Sequence, residues 1–232
     1  MKPLIPLVLF ITLIACTKKE AATYYYTPTP VTGAVKTWLA LGDSYTIGQT
    51  VTEAERFAAQ TANMLRQSGI NISTPTYIAT TGWTTNNLDA AIAQQNPNNH
   101  TVVSLLIGVN DQYQRHDTTG YRQRFTSLLE KAIVLANNKK ENVFVLSIPD
   151  YSVTPFAAGN DTAQIRKEID WFNAINKAVT IHYNCPYVDI TLSTREALYN
   201  RSLISGDGLH PSGLGYKRWA DLLAPIMLPV LK

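Results

Sequence analysis

The sequence predicts an α/β domain built on a parallel sheet with helices over both faces. Short apolar runs alternate with longer stretches of helical periodicity, the signature of βαβ units. Two of the runs, Val102–Ile107 and Val143–Ile148, are apolar almost throughout rather than alternating, as strands buried on both faces must be. A chain of 232 residues with 45% hydrophobic content can bury such a core. The remaining strands are expected at Trp38–Leu41, Tyr77–Ala79 and Tyr187–Ile190. Between the first two, Thr52 and Glu55 form a capping-box pair. Phe57, Thr61, Met64 and Leu65 follow at helical spacing and Gly69 marks the stop. Tyr121, Phe125, Leu128, Leu129, Ala132 and Ile133 predict a second amphipathic helix, and Ile165, Ile169, Phe172 and Ile175 a third. A last helix is expected from about Ser212 to Leu231, with Trp219, Leu222, Leu223 and Ile226 facing inward. No internal repeat interrupts the pattern, so 37–232 reads as one domain with right-handed crossovers.

The first 36 residues have a different character. Met1-Lys2 precedes an apolar run from Leu4 to Ala15, which spans about 18 Å as a helix, short of the roughly 30 Å hydrocarbon core. That layout predicts a signal peptide over 1–15. The run ends Leu13-Ile14-Ala15-Cys16 and resembles the lipobox of bacterial lipoproteins, which implies a lipidated Cys16. Several acyl chains at about 0.8 kcal/mol per buried CH₂ give a firm membrane anchor. Residues 16–36, with Tyr24-Tyr25-Tyr26 and the Thr-Pro pairs to Pro30, are expected to form a tether. The expected location is a bacterial cell envelope, periplasmic or surface-facing, with the chain a monomer.

Charge excludes other classes. The net charge is +3, charged residues make up 16%, and no basic run exceeds two residues. A nucleic-acid partner, which needs a basic stripe, is therefore not expected. Two cysteines and four histidines without metal-ligand spacing give no reason to expect a metal or another cofactor. Cys185, before Pro186 and a short apolar run, is expected to be a buried, inert thiol.

In open α/β sheets ligands bind beyond the carboxyl ends of the strands. There the sequence places Gly42-Asp43-Ser44, Thr81-Gly82-Trp83 and Gly108-Val109-Asn110-Asp111. Before the last helix it places Asp207-Gly208-Leu209-His210-Pro211. These stretches supply a nucleophile, a base, an acid and candidate oxyanion donors. In these four blocks the chain resembles the SGNH hydrolases, also called the GDSL esterase/lipase family, through Ser44, Gly82, Asn110 and His210 in that order.

The resemblance implies a three-layer α/β/α sandwich on a five-stranded parallel sheet, close to the flavodoxin order 2-1-3-4-5. Strands one and three are then neighbours, bringing Ser44 and Asn110 together. His210 is the expected base for the Ser44 hydroxyl, with Asp207, three residues earlier, fixing its tautomer. The Ser44 and Gly82 backbone N–H groups and the Asn110 side-chain amide are the expected oxyanion donors, and Gly82 lets a substrate approach its N–H closely. The pattern is not the Gly-x-Ser-x-Gly elbow. Asp150 and Asp189 also follow strands and are alternatives to Asp207; Asp43 and Asp111 read as braces for their turns. His100, His116 and His182 read as surface residues, and Ser147 as a poor rival nucleophile. Trp83 and residues 149–158, Phe156 included, either shape the substrate pocket or belong to the core.

The expected activity is hydrolysis of carboxylic esters through an acyl-enzyme on Ser44, with short- to medium-chain acyl groups on saccharides or small molecules. Alternatives are an acyltransferase, a lysophospholipase or a thioesterase with the same three residues. A lipoprotein that only binds a ligand on this scaffold is the reading from another class.

Overall fold

The computed structural model describes residues 32–232. The signal segment 1–15, Cys16 and the tether as far as residue 31 lie outside the described residues. The final part of the expected tether is not a linker. Thr32–Lys36 form strand β1, paired in parallel with β3, Ile70–Ile72. Most of β1 is exposed, so no apolar alternation announces it, and its order comes from pairing with a distant segment.

Five parallel strands make the main sheet: β2 (Trp38–Gly42), β4 (Thr76–Ala79), β5 (Val102–Leu106), β6 (Val143–Leu146) and β7 (Tyr187–Val188). Their order is β4-β2-β5-β6-β7, which is 2-1-3-4-5 when only these five are counted. The sheet and its helical layers are those of the expected α/β/α sandwich. β6 and β7 end two residues earlier than predicted because Ser147 takes over the bonding. Its Oγ receives the Ile190 and Thr191 N–H groups at 2.8 and 3.0 Å.

The helices are α1 (Ser44–Ile47), α2 (Phe57–Gln67), α3 (Thr85–Gln95), α4 (Val109–Arg115), α5 (Tyr121–Leu135), α6 (Thr162–His182), α7 (Thr191–Arg195) and α8 (Gly213–Leu231). α2 packs on α8, while α5 packs on both α3 and α6, giving the two outer layers. The capping box at Thr52 and Glu55 is present, but it closes a 3₁₀ turn, Glu53–Glu55, ahead of α2.

No strong sequence signal announces α3. Its apolar stripe is thin (Leu88, Ala91, Ile92), and its capping box uses Asn87 where Glu or Gln is the usual signature. In α8, Trp219 and Leu223 are buried as expected, but Leu222 and Ile226 are 39% and 37% exposed. The inward stripe runs through Trp219, Ala220, Leu223, Ala224, Met227 and Leu231, and residues 222 and 226 sit beside it.

Candidate active site

β2 and β5 lie side by side with Gly42 opposite Leu106, so the segments that leave their carboxyl ends start as neighbours. Asp43 caps α1. Its Oδ1 accepts the Tyr45 N–H at 3.0 Å, and its carbonyl receives the Thr46 and Ile47 N–H groups. That tight turn holds Ser44 as the first residue of α1, 4% exposed.

On the other strand, Gly108 has φ +126° and leads into α4, which carries Asn110. Asp111 anchors this helix. Its buried carboxylate accepts the Thr85 N–H at 2.8 Å and the Thr85 hydroxyl at 2.6 Å, and Arg124 approaches at 3.4 Å. Asn110 Nδ2 donates to the Trp83 carbonyl at 3.0 Å, leaving its second N–H for another acceptor. The α3 start thus positions α4, through partners that no local motif announced.

His210 lies in the loop before α8, held where Ile204 bridges Pro211 and Ser205 N–H donates to the His210 carbonyl. Its Nδ1 meets Asp207 Oδ2 at 2.6 Å and its Nε2 meets Ser44 Oγ at 2.9 Å. A carboxylate at Nδ1 selects the Nδ1–H tautomer, so Nε2 is the acceptor for the Ser44 hydroxyl. The Tyr45 ring lies against the imidazole with centroids 4.8 Å apart. Burial acts to raise the Asp207 pKa. Hydrogen bonds from His210 Nδ1, the Leu209 and His210 backbone N–H groups and the Ser205 hydroxyl outweigh that and hold it down at about 2. Asp207 is therefore a carboxylate at neutral pH.

Neither alternative acid reaches His210. Asp150 is paired with Arg195 at 2.7 Å, and Asp189 accepts from Ser147 and the Thr191 N–H. Cys185 is a buried free thiol whose pKa burial pushes up to about 11.

Ser44, Gly82, Asn110 and His210 line one cavity of about 120 Å³. Gly82 has φ +82°, in the left-handed region where side chains are disfavoured, and a Cβ there would meet open space. The rest of the wall is apolar or aromatic: Tyr113, Tyr151, Phe156, Val109 and Leu209 complete it with Tyr45 and Thr81. Phe156 therefore belongs to the pocket. Trp83 does not line it; its ring packs on the core while its carbonyl holds Asn110. Tyr151, within the stretch 149–158, likewise belongs to the pocket, whereas Tyr113 has no sequence signal, because it falls within α4 without a recognisable pattern.

A Ser–His–Asp line at the carboxyl edge of a flavodoxin-like sheet defines a hydrolase of the nucleophilic-serine class. The model of the GDSL-like Lipase/Acylhydrolase family matches residues 40–218, and the chain belongs to that family of serine hydrolases acting on esters. Solved structures share the fold. A lipolytic protein of the G-D-S-L family from Veillonella parvula superposes with TM-score 0.62 at 21% identity, over 85% of this chain and 98% of that one. An acetylxylan esterase from Geobacillus stearothermophilus gives 0.58 at 21%, over 84% and 94%. The psychrotrophic esterase EstA from Pseudoalteromonas sp. gives 0.61 at 16%, over 84% and 98%. No relative matches among curated proteins.

Asp43 offers a test of the site's packing. It is fully buried, its Oδ2 has no partner among the described residues, and burial raises its pKa from 3.8 to about 8. Below about pH 4 both folded and unfolded chains carry the proton. Between about pH 4 and 8 only the unfolded chain ionises, so this residue lowers stability as pH rises through that window, with no further change above it. Asp43→Asn keeps the amide oxygen for Tyr45 N–H and cannot ionise. Urea midpoints are expected to fall from about pH 5 to about pH 7.5 more steeply in the native chain than in the variant. Equal slopes would show Asp43 to be ionised in the fold.

Proposed function

We propose that the chain hydrolyses carboxylic esters through an acyl-enzyme on Ser44, acting on short- to medium-chain acyl groups carried by saccharides or small molecules. The observation that carries this reading is the continuous hydrogen-bonded line Asp207–His210–Ser44 opening into a small cavity. His210 Nε2 takes the Ser44 proton as Oγ attacks the ester carbonyl. The negative charge that develops on the carbonyl oxygen is met by the Ser44 and Gly82 N–H groups and by the second N–H of Asn110. Imidazolium, steadied by the Asp207 carboxylate, then protonates the leaving alcohol. Water repeats the sequence on the acyl-enzyme and frees Ser44. The small volume favours short acyl groups, and its aromatic lining favours their apolar ends.

Kinetics on p-nitrophenyl acetate test the roles. Ser44→Ala is expected to abolish turnover, and Asn110→Ala to lower kcat by about 10²–10³-fold, the effect of losing one oxyanion donor. Undiminished hydrolysis by folded Ser44→Ala would overturn the mechanism.

We infer further that Cys16, at the end of the apolar run, carries lipid and tethers the enzyme to a membrane of the bacterial envelope. Labelled palmitate fed to expressing cells is expected to enter the native protein and not Cys16→Ala. Equal labelling of both, or of neither, would rule the anchor out.

A further inference from the structure

Beyond the catalytic cavity lies a second one of about 460 Å³, within the range of roughly 300–1,000 Å³ typical of small-molecule sites. The two share Tyr113, Tyr151 and Phe156 as a common partition. These three rings pack on one another with centroids 6.0–6.2 Å apart, and Tyr113 and Phe156 remain 50% and 43% exposed. Aromatic rings left open beside a nucleophile, and supported from behind by a third, form a platform rather than a core.

The far wall is polar and comes from α6. Glu168 is almost wholly buried, yet it lines the cavity. Its Oε2 accepts from Gln112 Nε2 at 2.7 Å and His116 Nδ1 at 3.0 Å, and its Oε1 from Gln164 Nε2 at 2.8 Å. A carboxylate has about four acceptor sites, so three protein donors leave one open to a hydroxyl. Gln164 spends one side-chain N–H on Glu168 and retains a second N–H and its carbonyl oxygen. Asp161, the cap of α6, adds another carboxylate to the lining. Two carboxylates repel a phosphate or carboxylate group and suit neutral donors of O–H bonds.

We propose that this cavity is the alcohol subsite. The acyl group enters the small cavity beside Ser44, and a neutral saccharide that bears the ester lies across the Tyr113–Phe156 platform with its hydroxyls on Glu168 and Gln164. The apolar C–H face of the sugar rests on the rings, whose faces carry partial negative charge. The proposal deepens the ester-hydrolase reading above and rests on it. In the acylation step the Ser44 Oγ–carbonyl carbon bond forms and the bond from that carbon to the sugar oxygen breaks. The Ser44 proton passes through His210 to the departing sugar oxygen.

The test compares kcat/KM for monoacetylated xylotriose and for ethyl acetate, which gives the same acetyl-enzyme but has no alcohol long enough to reach the second cavity. The native enzyme is expected to prefer the saccharide. Gln164→Ala and Tyr113→Leu, both at exposed side chains, are each expected to lower the ratio of the two kcat/KM values about tenfold. The acetyl-enzyme is common to both substrates, so single-turnover deacylation is expected to be unaltered in Gln164→Ala. Ser44-dependent hydrolysis of both esters with an unchanged ratio in both variants would overturn the subsite alone. A native preference for a lysophospholipid over the saccharide would do the same. Failure of both esters to react in a Ser44-dependent manner would overturn the esterase reading and the subsite with it.

Discussion

The site depends on a backbone contact that admits no side chain. At Gly42 a Cβ would lie 2.0 Å from Thr46 Oγ1 and 2.4 Å from the Leu106 carbonyl oxygen. The end of β2 is therefore pressed against β5 on one side while α1 folds back over it on the other. Gly108, just past the end of β5, is subject to a similar constraint, since a Cβ there would sit 2.0 Å from the Tyr121 hydroxyl. Tyr121 in turn is tied to the Ile107 carbonyl and to Asn176 of α6. Two glycines at adjoining strand ends let the nucleophile turn and the Asn110 helix start side by side, and the surrounding helices hold both in place.

Two carboxylates near the reacting atoms are driven in opposite directions by their surroundings. Asp207 collects hydrogen bonds and stays charged, with a pKa of about 2. Asp43, adjacent to the nucleophile, is fully buried and its pKa rises to about 8. Environments that push titratable groups apart separate a working charge from a neutral brace. Asp207 can stabilise the imidazolium of His210, whereas Asp43 shapes the turn that presents Ser44. A second charge beside Ser44 would oppose the oxyanion that Ser44 has to create.

Much of this was legible in the sequence because the central strands are buried on both faces, Ser44, Gly82 and Asn110 come soon after strand ends, and His210 lies just before the last helix. Ser44, Gly82, Asn110 and His210 stand at the carboxyl edge, where an open α/β sheet gathers its ligands. Asp207 is three residues from His210, so local chain geometry suffices to join them. Less legible were features made by distant partners. β1 owes its order to β3, and Asp111 finds Thr85 and Arg124 only in the fold. The Tyr113–Tyr151–Phe156 partition unites a helix with two short turns, which no periodicity links. On α8 the offset of Leu222 and Ile226 from the buried stripe shows how a small helical rotation moves an apolar residue to the surface.

The claim that the assembled line makes Ser44 a nucleophile is tested most directly by trapping the covalent intermediate. Native protein mixed with excess p-nitrophenyl acetate, quenched in acid within its first turnovers and digested, is examined by mass spectrometry. One acetyl group is expected on the peptide that contains Ser44, and none when His210→Ala is treated in the same way. A turning-over enzyme with no acetyl group on that peptide, or with the group on another residue, would contradict a nucleophilic Ser44.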